Sequence, residues 1–401
     1  MFLRAVMERN APLVDAAVEL HRDGAIPPGT FVIDVDAVAA NAAAVAGAAA
    51  AAGVRLYFMT KQIGRNPMVA ETVRAHIDAA VAVDVDDADA LHAAGVPLGH
   101  VGHLVQTPTC AVERMLGYEP EVVTVFSVEK ARQIAAIACR SGREQALLLR
   151  VADVDDEFFP GQEGGIAPER IAAARAEIDA LDGVRVVGVT TYPTVRFDGA
   201  AYRPTRNLST LRRAAELLAP LEQVNAPGHT SVDTLPLVAA AGATHAEPGH
   251  ALTGTTPRAA VAPTPEVPAV CFLSEVSHVD DEHAWVFGGG FYERGRAERG
   301  LLVREHDEPA QLLPLVKLPK GSIDYYRRLR LTRSTAVSVG DSAVFSFRFQ
   351  AFTSRARIAV IGGLRDGRWR LLGLHDVHGR TLAHGAEAVG RGAAQALGGS
   401  R

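Results

Sequence analysis

The sequence contains little cysteine and no excess of basic charge. Its 401 residues include three cysteines, Cys110, Cys139 and Cys271, which are odd in number and far apart. They indicate neither a disulfide framework nor a metal-binding pair and are typical of a protein in a reducing compartment. The net charge of -5, from 41 basic and 46 acidic residues, argues against nucleic acid as the main partner.

Long apolar runs are also lacking. The alanine-rich run near residues 42–52 is expected to form a helix, because it is too short and too weakly apolar to span a bilayer. Near the N-terminus, Arg4, Glu8 and Arg9 have no long apolar segment behind them, so we expect no signal peptide. These features predict a soluble protein of the cytoplasm.

A regular alternation of apolar strand, turn and amphipathic helix begins near residue 55 and favours an α/β fold. Eight such repeats favour a (β/α)8 TIM barrel. The alternative is a doubly wound sheet, which would need a glycine-rich nucleotide loop after its first strand, and the sequence has none. The predicted barrel strands are Arg55–Thr60, Ala79–Val83, His100–Val105, Val122–Phe126, Ala146–Val151, Val184–Thr190, Leu221–Asn225 and Ala243–Glu247.

The pattern changes after Gly254, where a proline-rich linker leads into strands. We expect a barrel over residues 37–256 and an antiparallel β domain over residues 257–401, which the N-terminal residues 1–36 join. Its predicted strands are Ala269–Val279, His283–Phe287, Ser338–Gln350 and Arg355–Ile361.

One face of the Ser338–Gln350 strand is apolar and the other is polar. Phe345, Phe347 and Phe349 alternate with polar residues and are expected in the core. The polar face, which includes Arg348 and Gln350, is expected to be solvated, and a cleft is the alternative.

Lys61 follows the first predicted barrel strand, at the edge where α/β folds place their chemistry. A partly desolvated lysine can lose its proton there and become a nucleophilic amine. For a lysine taken alone, extension from a strand end into solvent is the commoner case, and the remaining motifs of the chain favour the reactive amine.

Two further segments lie at the ends of the last predicted strands. Gly228, His229, Thr230 and Ser231 form a glycine turn that feeds a helix predicted to begin near Thr230, and this arrangement is typical of a phosphate site or of a plain helix cap. Glu247 ends the eighth strand and is either a partner for a protonated ring nitrogen or a structural ion-pair residue. A reactive lysine, a phosphate loop and a carboxylate at one barrel mouth are what pyridoxal 5′-phosphate (PLP) requires.

Several motifs carry a resemblance that runs in order over nearly the whole chain. The segments 33–37, 58–61 and 247–254 resemble the alanine racemase-like, fold type III PLP enzymes. More narrowly, the segments 57–67, 102–106, 159–165 and 288–292 resemble the YhfX-type branch. The resemblance implies a PLP-binding barrel followed by a β domain, and a head-to-tail homodimer with shared active sites.

The resemblance also implies residue roles. Lys61 corresponds to the Schiff-base lysine and to a base on one face of the α-carbon of an amino-acid substrate. Tyr192 lies where the family has a ring-stacking histidine, although it is equally compatible with a core tyrosine. Tyr292 lies near the tyrosine that alanine racemases supply from the partner subunit as the acid/base on the opposite face. The phosphate would be held by Gly228, His229, Thr230, Ser231, Gly249 and His250.

The sequence departs from alanine racemase in three places. Glu247 replaces an arginine at the ring nitrogen, as in the decarboxylases of this fold, and would make the ring a stronger electron sink. Arg65 stands four residues after the lysine in place of a tyrosine and is expected to bind a phosphate or a substrate carboxylate. The catalytic cysteine segment of the decarboxylases is not visible, and Cys271 is expected in the core.

The sequence predicts no metal site. His100 and His103 are three residues apart beside a strand and are expected to point to opposite faces. His375 and His378 are expected to lie in an exposed turn.

We therefore expect a PLP-dependent amino-acid racemase or epimerase. The alternatives are a PLP-dependent lyase or decarboxylase and, from another class, a non-catalytic PLP-binding protein. A metal-dependent barrel hydrolase would need a cluster of histidines and carboxylates at strand ends, which the sequence does not reveal.

Overall fold

The computed structural model describes residues 2–304 and 309–382, and eight of its strands close into a parallel barrel. The barrel strands are β2 (Arg55–Met59), β3 (Ala79–Ala82), β4 (Leu98–Val101), β5 (Val122–Val125), β6 (Gln145–Arg150), β7 (Val184–Thr190), β10 (Gln223–Asn225) and β11 (His245–Ala246). They pair in the order β10-β11-β2-β3-β4-β5-β6-β7, and β10 pairs with β7. The predicted (β/α)8 barrel is confirmed, strand for strand.

Helices alternate with these strands, and three precede the first barrel strand. They are α1 (Phe2–Arg9), α2 (Ala11–Arg22), α3 (Val35–Ala52), α4 (Pro67–Arg74), α5 (Val85–Ala93), α6 (Val112–Gly117), α7 (Val128–Arg140), α8 (Pro168–Asp179), α9 (Arg206–Leu218) and α10 (Leu235–Ala240). The side chains of Asn66, Asp84 and Ser127 accept hydrogen bonds from N–H groups in the first turns of α4, α5 and α7. These caps satisfy donors that a helix leaves unpaired.

The alanine-rich helix α3 is longer than its alanine run. Asp34, and not the neighbouring Asp36, caps it by accepting from the N–H groups of Asp36 and Ala37, and Gly53 ends it in a left-handed conformation. By length and hydropathy alone, its 18 residues are sufficient to cross a membrane, contrary to the expectation from sequence. In the fold, its buried residues, among them Val38, Ala42 and Val45, pack in the main hydrophobic core.

A second, largely antiparallel sheet follows the barrel. Its strands are β1 (Thr30–Asp34), β12 (Val270–Val279), β13 (His283–Phe287), β14 (Arg299–Val303), β15 (Gln311–Pro314), β16 (Tyr326–Arg330), β17 (Ser342–Phe345), β18 (Arg357–Gly362) and β19 (Arg370–Asp376). Most of them follow the order β15-β14-β17-β12-β1-β18-β19, and β13 joins β12 to β16. Strand β1 lies antiparallel to β12 and parallel to β18, so the N-terminal residues complete this sheet. A small hairpin, β8 (Val195–Phe197) with β9 (Tyr202–Pro204), extends from the barrel.

Four strands of the second sheet, β14, β15, β16 and β19, were not predicted. Three of them contain arginine, as in the Tyr326–Arg330 segment, and the fourth ends in a proline. Such residues are tolerated at sheet edges but weaken a sequence signal that rests on apolar alternation.

The barrel and the second sheet share one hydrophobic core. Phe58 and Ile63, from the first barrel strand and the turn after it, belong to the same cluster as Phe272, Phe345 and Ile358 of the sheet. The buried phenylalanine face of residues 345–349 is as predicted, and Cys271 is buried as expected. The sheet is therefore packed against the barrel next to the end of β2, where the site lies.

Candidate active site

A cavity opens at the carboxyl end of the barrel strands and is closed on one side by the second sheet. Its empty volume, which includes space open to the solvent, is about 480 Å³. It contains eight of the eleven residues that the sequence analysis singles out. The lining residues are Met59, Lys61, Gln62, Tyr192, Pro227, Gly228, His229, Thr230, Glu247, Gly249, His250, Thr256, Arg348 and Gln350.

Lys61 lies in the single helical turn Lys61–Ile63 that follows β2. Burial lowers the pKa of its amine to about 8; the nearby charge of Asp87 raises it and that of Arg348 lowers it further. A substantial fraction of the amine is therefore unprotonated near neutral pH, which is the form that attacks a carbonyl carbon.

Glu247 follows β11 and is completely buried. Its Oε1 lies 2.6 Å from Nδ1 of His100 and accepts a 2.8 Å hydrogen bond from Asn225. Burial alone would raise the pKa of Glu247, but the rings of His103 and His100 and these hydrogen bonds lower it to about 2. The carboxylate is ionised, and its other oxygen, Oε2, has no hydrogen-bond partner among the described residues.

The two histidines beside Glu247 lie on the same side, so the sequence interpretation of opposite faces is wrong. Strand β4 ends at Val101, and the alternation of side chains no longer applies at His103. Ligand atoms of His100, His103 and Glu247 lie within 4.8 Å of one another, which is the spacing of a possible metal site. However, both ring nitrogens of His100 are already engaged, with Glu247 and, at 2.5 Å, with the hydroxyl of Thr124.

The loop after β10 forms a turn and not a helix N-terminus. Helix α10 begins only at Leu235, so the predicted start near Thr230 is wrong. Gly228 and His229 both have positive φ values, of 149° and 51°. Within the described residues, no acceptor contacts their backbone N–H groups. Adjacent N–H groups of this kind form an anion-binding concavity.

The predicted strand Ser338–Gln350 is shorter in the structure, since β17 ends at Phe345, and the segment that follows it contributes Arg348 and Gln350 to the cavity. The polar face of residues 346–350 therefore faces a cleft, and the expectation of a solvated face is wrong. Nε of Arg348 donates a 2.9 Å hydrogen bond to Nε2 of His250, whose Nδ1 lies 3.1 Å from the hydroxyl of Thr255. Burial, followed by the charge of Arg348, lowers the pKa of His250 well below its usual value, so His250 is neutral.

Tyr192 is next to the cavity and in contact with two other aromatic rings. Its ring centroid lies 5.8 Å from those of His103 and Phe159. Burial raises the pKa of its hydroxyl, so the side chain stays neutral near neutral pH.

Three predicted site residues do not line the cavity. Arg65 is buried and forms ion pairs with Asp84 and Asp87 at the start of α5, outside the cavity that contains Lys61. The sequence could not place these aspartates, because they follow the neighbouring strand. The hydroxyl of Ser231 lies 3.2 Å from that of Thr234 in the local turn. Tyr292 is half-buried before the turn Glu293–Gly295, close enough to Tyr192 and Arg348 to influence their pKa values.

His375 and His378 also differ from the expected exposed turn. His375 is buried in β19, and His378 is exposed, with its Nδ1 3.3 Å from Arg65.

Sequence reasoning missed several residues of the site. Gln62 follows Lys61 directly and Asn225 ends β10, so their positions beside predicted site residues were the available signal. Arg150 ends β6, is fully buried, and donates to the backbone oxygens of His103, Gln162 and Gly164. No local pattern distinguishes these side chains from ordinary strand-end residues.

Comparisons with known proteins agree with this geometry. Residues 33–257 match the family "Alanine racemase, N-terminal domain", and residues 271–371 match "YhfX-like, C-terminal domain". The chain is 39% identical over 389 residues to the uncharacterized protein YhfX of Escherichia coli (strain K12), covering 95% of this chain and 100% of that protein. The chain belongs to the YhfX branch of the alanine racemase-like family.

Solved structures share the fold of this family member at low sequence identity. D-threonine aldolase from Filomicrobium marinum superposes with a TM-score of 0.64 and 17% identity, covering 88% of this chain and 96% of that chain. An alanine racemase from Clostridium difficile 630 superposes with a TM-score of 0.61 and 15% identity, covering 88% of this chain and 99% of that chain. A diaminopimelate decarboxylase from M. jannaschi superposes with a TM-score of 0.61 and 13% identity, covering 90% of this chain and 91% of that chain. One fold therefore carries several reactions.

Enzymes of this family generally use PLP, and the residues of the cavity fit that group. The orphaned Oε2 of Glu247 is an acceptor for a protonated ring nitrogen. The turn at Gly228 and His229 presents two N–H groups that no acceptor in residues 2–304 or 309–382 contacts, and Lys61 provides the amine. The donor set thus matches the three functional parts of the cofactor.

Proposed function

We propose that this protein is a PLP-dependent enzyme that acts at the α-carbon of an amino acid, as a racemase or epimerase. The observation that supports this proposal best is that one cavity contains a buried Lys61, with a pKa of about 8, and the ionised Glu247, whose Oε2 has no hydrogen-bond partner among the described residues. Bound PLP would supply an electron sink for the bond that breaks at the α-carbon.

The residues of this chain would hold and orient the reactants. Lys61 would attach the cofactor and then take up or return the α-proton at its Nζ. Glu247 would keep the ring nitrogen protonated, and His100 and Asn225 fix the carboxylate for that purpose. Gly228, His229 and Thr230, with Gly249 and His250, would hold the phosphate.

Racemisation requires a second proton carrier on the opposite face. Tyr292 is our candidate by resemblance, and its position near Tyr192 and Arg348 is compatible with a role at the mouth of the cavity. We also propose that the protein is a cytoplasmic homodimer with shared sites, as the resemblance implies, and that residues 1–36 and 257–401 act together as one domain.

A lyase or decarboxylase is the second candidate, and Glu247 favours it. An ionised carboxylate keeps the ring protonated and strengthens the electron sink, so cleavage of bonds other than the α-C–H bond is chemically accessible. The printed names of the aldolase and the decarboxylase among the fold neighbours are compatible with that range.

A non-catalytic PLP-binding role is less compatible with the cavity. Arg348 and Gln350, from the segment that follows β17 of the second sheet, line it together with Lys61 and Glu247. A protein that only carried the cofactor would have no need for a second domain that closes the site.

The test is exchange of the α-hydrogen in deuterated water. Purified protein with PLP is incubated with a panel of free L- and D-amino acids, and deuterium uptake, enantiomeric ratio and new products are measured by mass spectrometry and chiral chromatography. Exchange with inversion supports a racemase, whereas loss of carbon dioxide, water or an aldehyde supports the lyase alternative.

Two controls make the exchange result decisive. Lys61→Ala must abolish exchange, whereas Lys130→Ala, at a lysine hydrogen-bonded to Thr107 and Gln133, must not. Binding of PLP without exchange or product formation for any substrate would contradict catalysis and favour the carrier.

A further inference from the structure

His103 is a buried histidine beside Glu247, and, among the described residues, neither its ring nitrogens nor Oε2 of Glu247 has a hydrogen-bond partner. The side chain of His103 is completely buried. His100, three residues earlier, has both ring nitrogens engaged, and the neighbouring Arg150 donates to three backbone oxygens. Native proteins pair nearly all such buried groups, so the two ring nitrogens of His103 are available to a ligand that binds beside Glu247.

The immediate neighbours of His103 define where that ligand lies. Its Nε2 is 3.7 Å from Oε2 of Glu247, the carboxylate oxygen that is itself unpaired. Its ring stands perpendicular to that of Tyr192 at a centroid distance of 5.8 Å. Arg150 fixes the backbone by donating to the carbonyl oxygen of His103 at 2.9 Å. A ligand that satisfies Glu247 therefore lies within reach of His103 as well.

The protonation state of His103 determines what it can offer. Burial lowers the pKa of its ring to about 3; the charge of Glu247 raises it, and His100, Arg150 and Lys61 lower it further. The ring is neutral near neutral pH and presents one N–H donor and one acceptor. Its N–H group can donate a hydrogen bond to an electron-rich oxygen of a ligand.

We infer that His103 contacts the bound cofactor directly and donates a hydrogen bond to the phenolic oxygen of the pyridoxal ring. The inference rests on the proposed function. It adds a cofactor contact that is separate from the proposed contacts to the phosphate, to Lys61 and to the ring nitrogen. Its expected effect is electronic. A donor binds the ionised phenolic oxygen most strongly once the linkage between Lys61 and the cofactor has lost its proton, so it lowers the pH at which that proton leaves.

The experiment compares wild type, His103→Leu and His103→Gln, each loaded with PLP. Leucine removes the donor at similar bulk, and glutamine restores an N–H donor. The readouts are the dissociation constant for PLP by equilibrium dialysis and the absorbance of the bound cofactor as a function of pH. Groups whose titration could contribute are Glu247, His100, Lys61, Arg150 and Tyr192, and none of these is altered by the variants.

For His103→Leu we expect PLP binding to weaken roughly tenfold to a hundredfold, the usual loss for one hydrogen bond to a charged group. The pH midpoint of the spectral change should rise by roughly one unit. The hydrogen bond from His103 to the phenolic oxygen is stronger once that oxygen no longer shares the proton of the linkage, so removing the bond makes the proton harder to remove. His103→Gln should recover part of both effects. Thermal unfolding of the apoproteins shows whether each variant is folded.

The outcomes separate this inference from the proposed function. If wild type gains no visible band with PLP, the proposed function fails. If wild type gains the band but His103→Leu has the same affinity and the same pH midpoint, only the role of His103 is overturned. A metal-ligand role would also overturn it, and would be recognised if apoprotein binds Zn²⁺ stoichiometrically, loses that binding in His103→Leu, and excludes PLP while the metal is bound.

Discussion

Lys61 and Glu247 show how the same burial has opposite consequences for two charged groups. Burial lowers the pKa of the Lys61 amine to about 8, because the amine is neutral when unprotonated. Glu247 stays ionised despite its burial, because hydrogen bonds with His100 and Asn225 stabilise the carboxylate. A nucleophile and a fixed anion thereby coexist in one cavity near neutral pH.

The pH dependence of PLP capture tests the Lys61 environment. The rate at which apoprotein captures PLP, followed by stopped-flow absorbance, should rise about tenfold per pH unit below pH 8 and then level, because only the unprotonated amine reacts. An ordinary lysine would give a rate that keeps rising to about pH 10. A rate that is flat below pH 8, or still rising above pH 9, would contradict the assignment.

At the residue scale, the sequence predicted identities better than contacts. Lys61 and Glu247 are visible from strand ends, because parallel strands bring their carboxyl ends to one edge. The partners Asn225, His100 and Thr124 are not, since each lies on a different strand and its contact depends on side-chain direction inside the barrel. For Arg65 the sequence suggested a ligand contact, whereas the structure pairs its side chain with Asp84 and Asp87 of a neighbouring element.

At the scale of elements, the turn after β10 determines the shape of the presumed phosphate site. Gly228 has a φ of 149°, which non-glycine residues rarely adopt, and a Cβ placed there would lie 2.8 Å from the backbone nitrogen of Thr194. The sequence indicated a glycine turn but placed the helix start too early, because the hydroxyl groups of Thr230 and Ser231 resemble an N-cap. Because α10 begins only at Leu235, the phosphate would be bound by backbone N–H groups of the turn and not by the N-terminus of a helix.

Gly228→Ala should therefore distort the turn. We expect PLP affinity to fall more than tenfold and the free energy of unfolding to fall by about 1–3 kcal/mol, because both strain and a backbone clash are introduced. Gly199→Ala is the matched control, since Gly199 also has a positive φ, of 108°, but nothing lies within 4 Å of its added Cβ. Equal losses of PLP affinity in the two variants, by equilibrium dialysis, would show that the turn does not hold the phosphate.

At the scale of the whole molecule, the cavity belongs to both domains. The barrel provides Lys61, Glu247 and the turn at Gly228, and the second sheet provides Arg348 and Gln350. The alternation of residues 345–350 predicted which face is core but not what covers the other face. That depends on how the sheet packs against the barrel, which local periodicity does not encode.

Arg348→Gln tests this shared construction. Because Arg348 bonds to His250, which we assign to the phosphate, the variant should bind PLP roughly tenfold or more weakly while its affinity for pyridoxal without phosphate is unchanged. Arg357→Gln, at an exposed arginine of the same sheet, should affect neither ligand. Parallel titrations by fluorescence quenching would contradict the assignment if Arg348→Gln weakened both ligands equally.

The most direct test of the whole account is the site at which PLP becomes attached. Protein incubated with PLP is reduced with borohydride, digested and mapped by mass spectrometry. The sequence contains four lysines, Lys61, Lys130, Lys317 and Lys320, so three serve as internal controls. The account predicts a yellow protein with one equivalent of label on Lys61 and none in Lys61→Ala. A protein that stays colourless, or label spread over the other lysines, would contradict it.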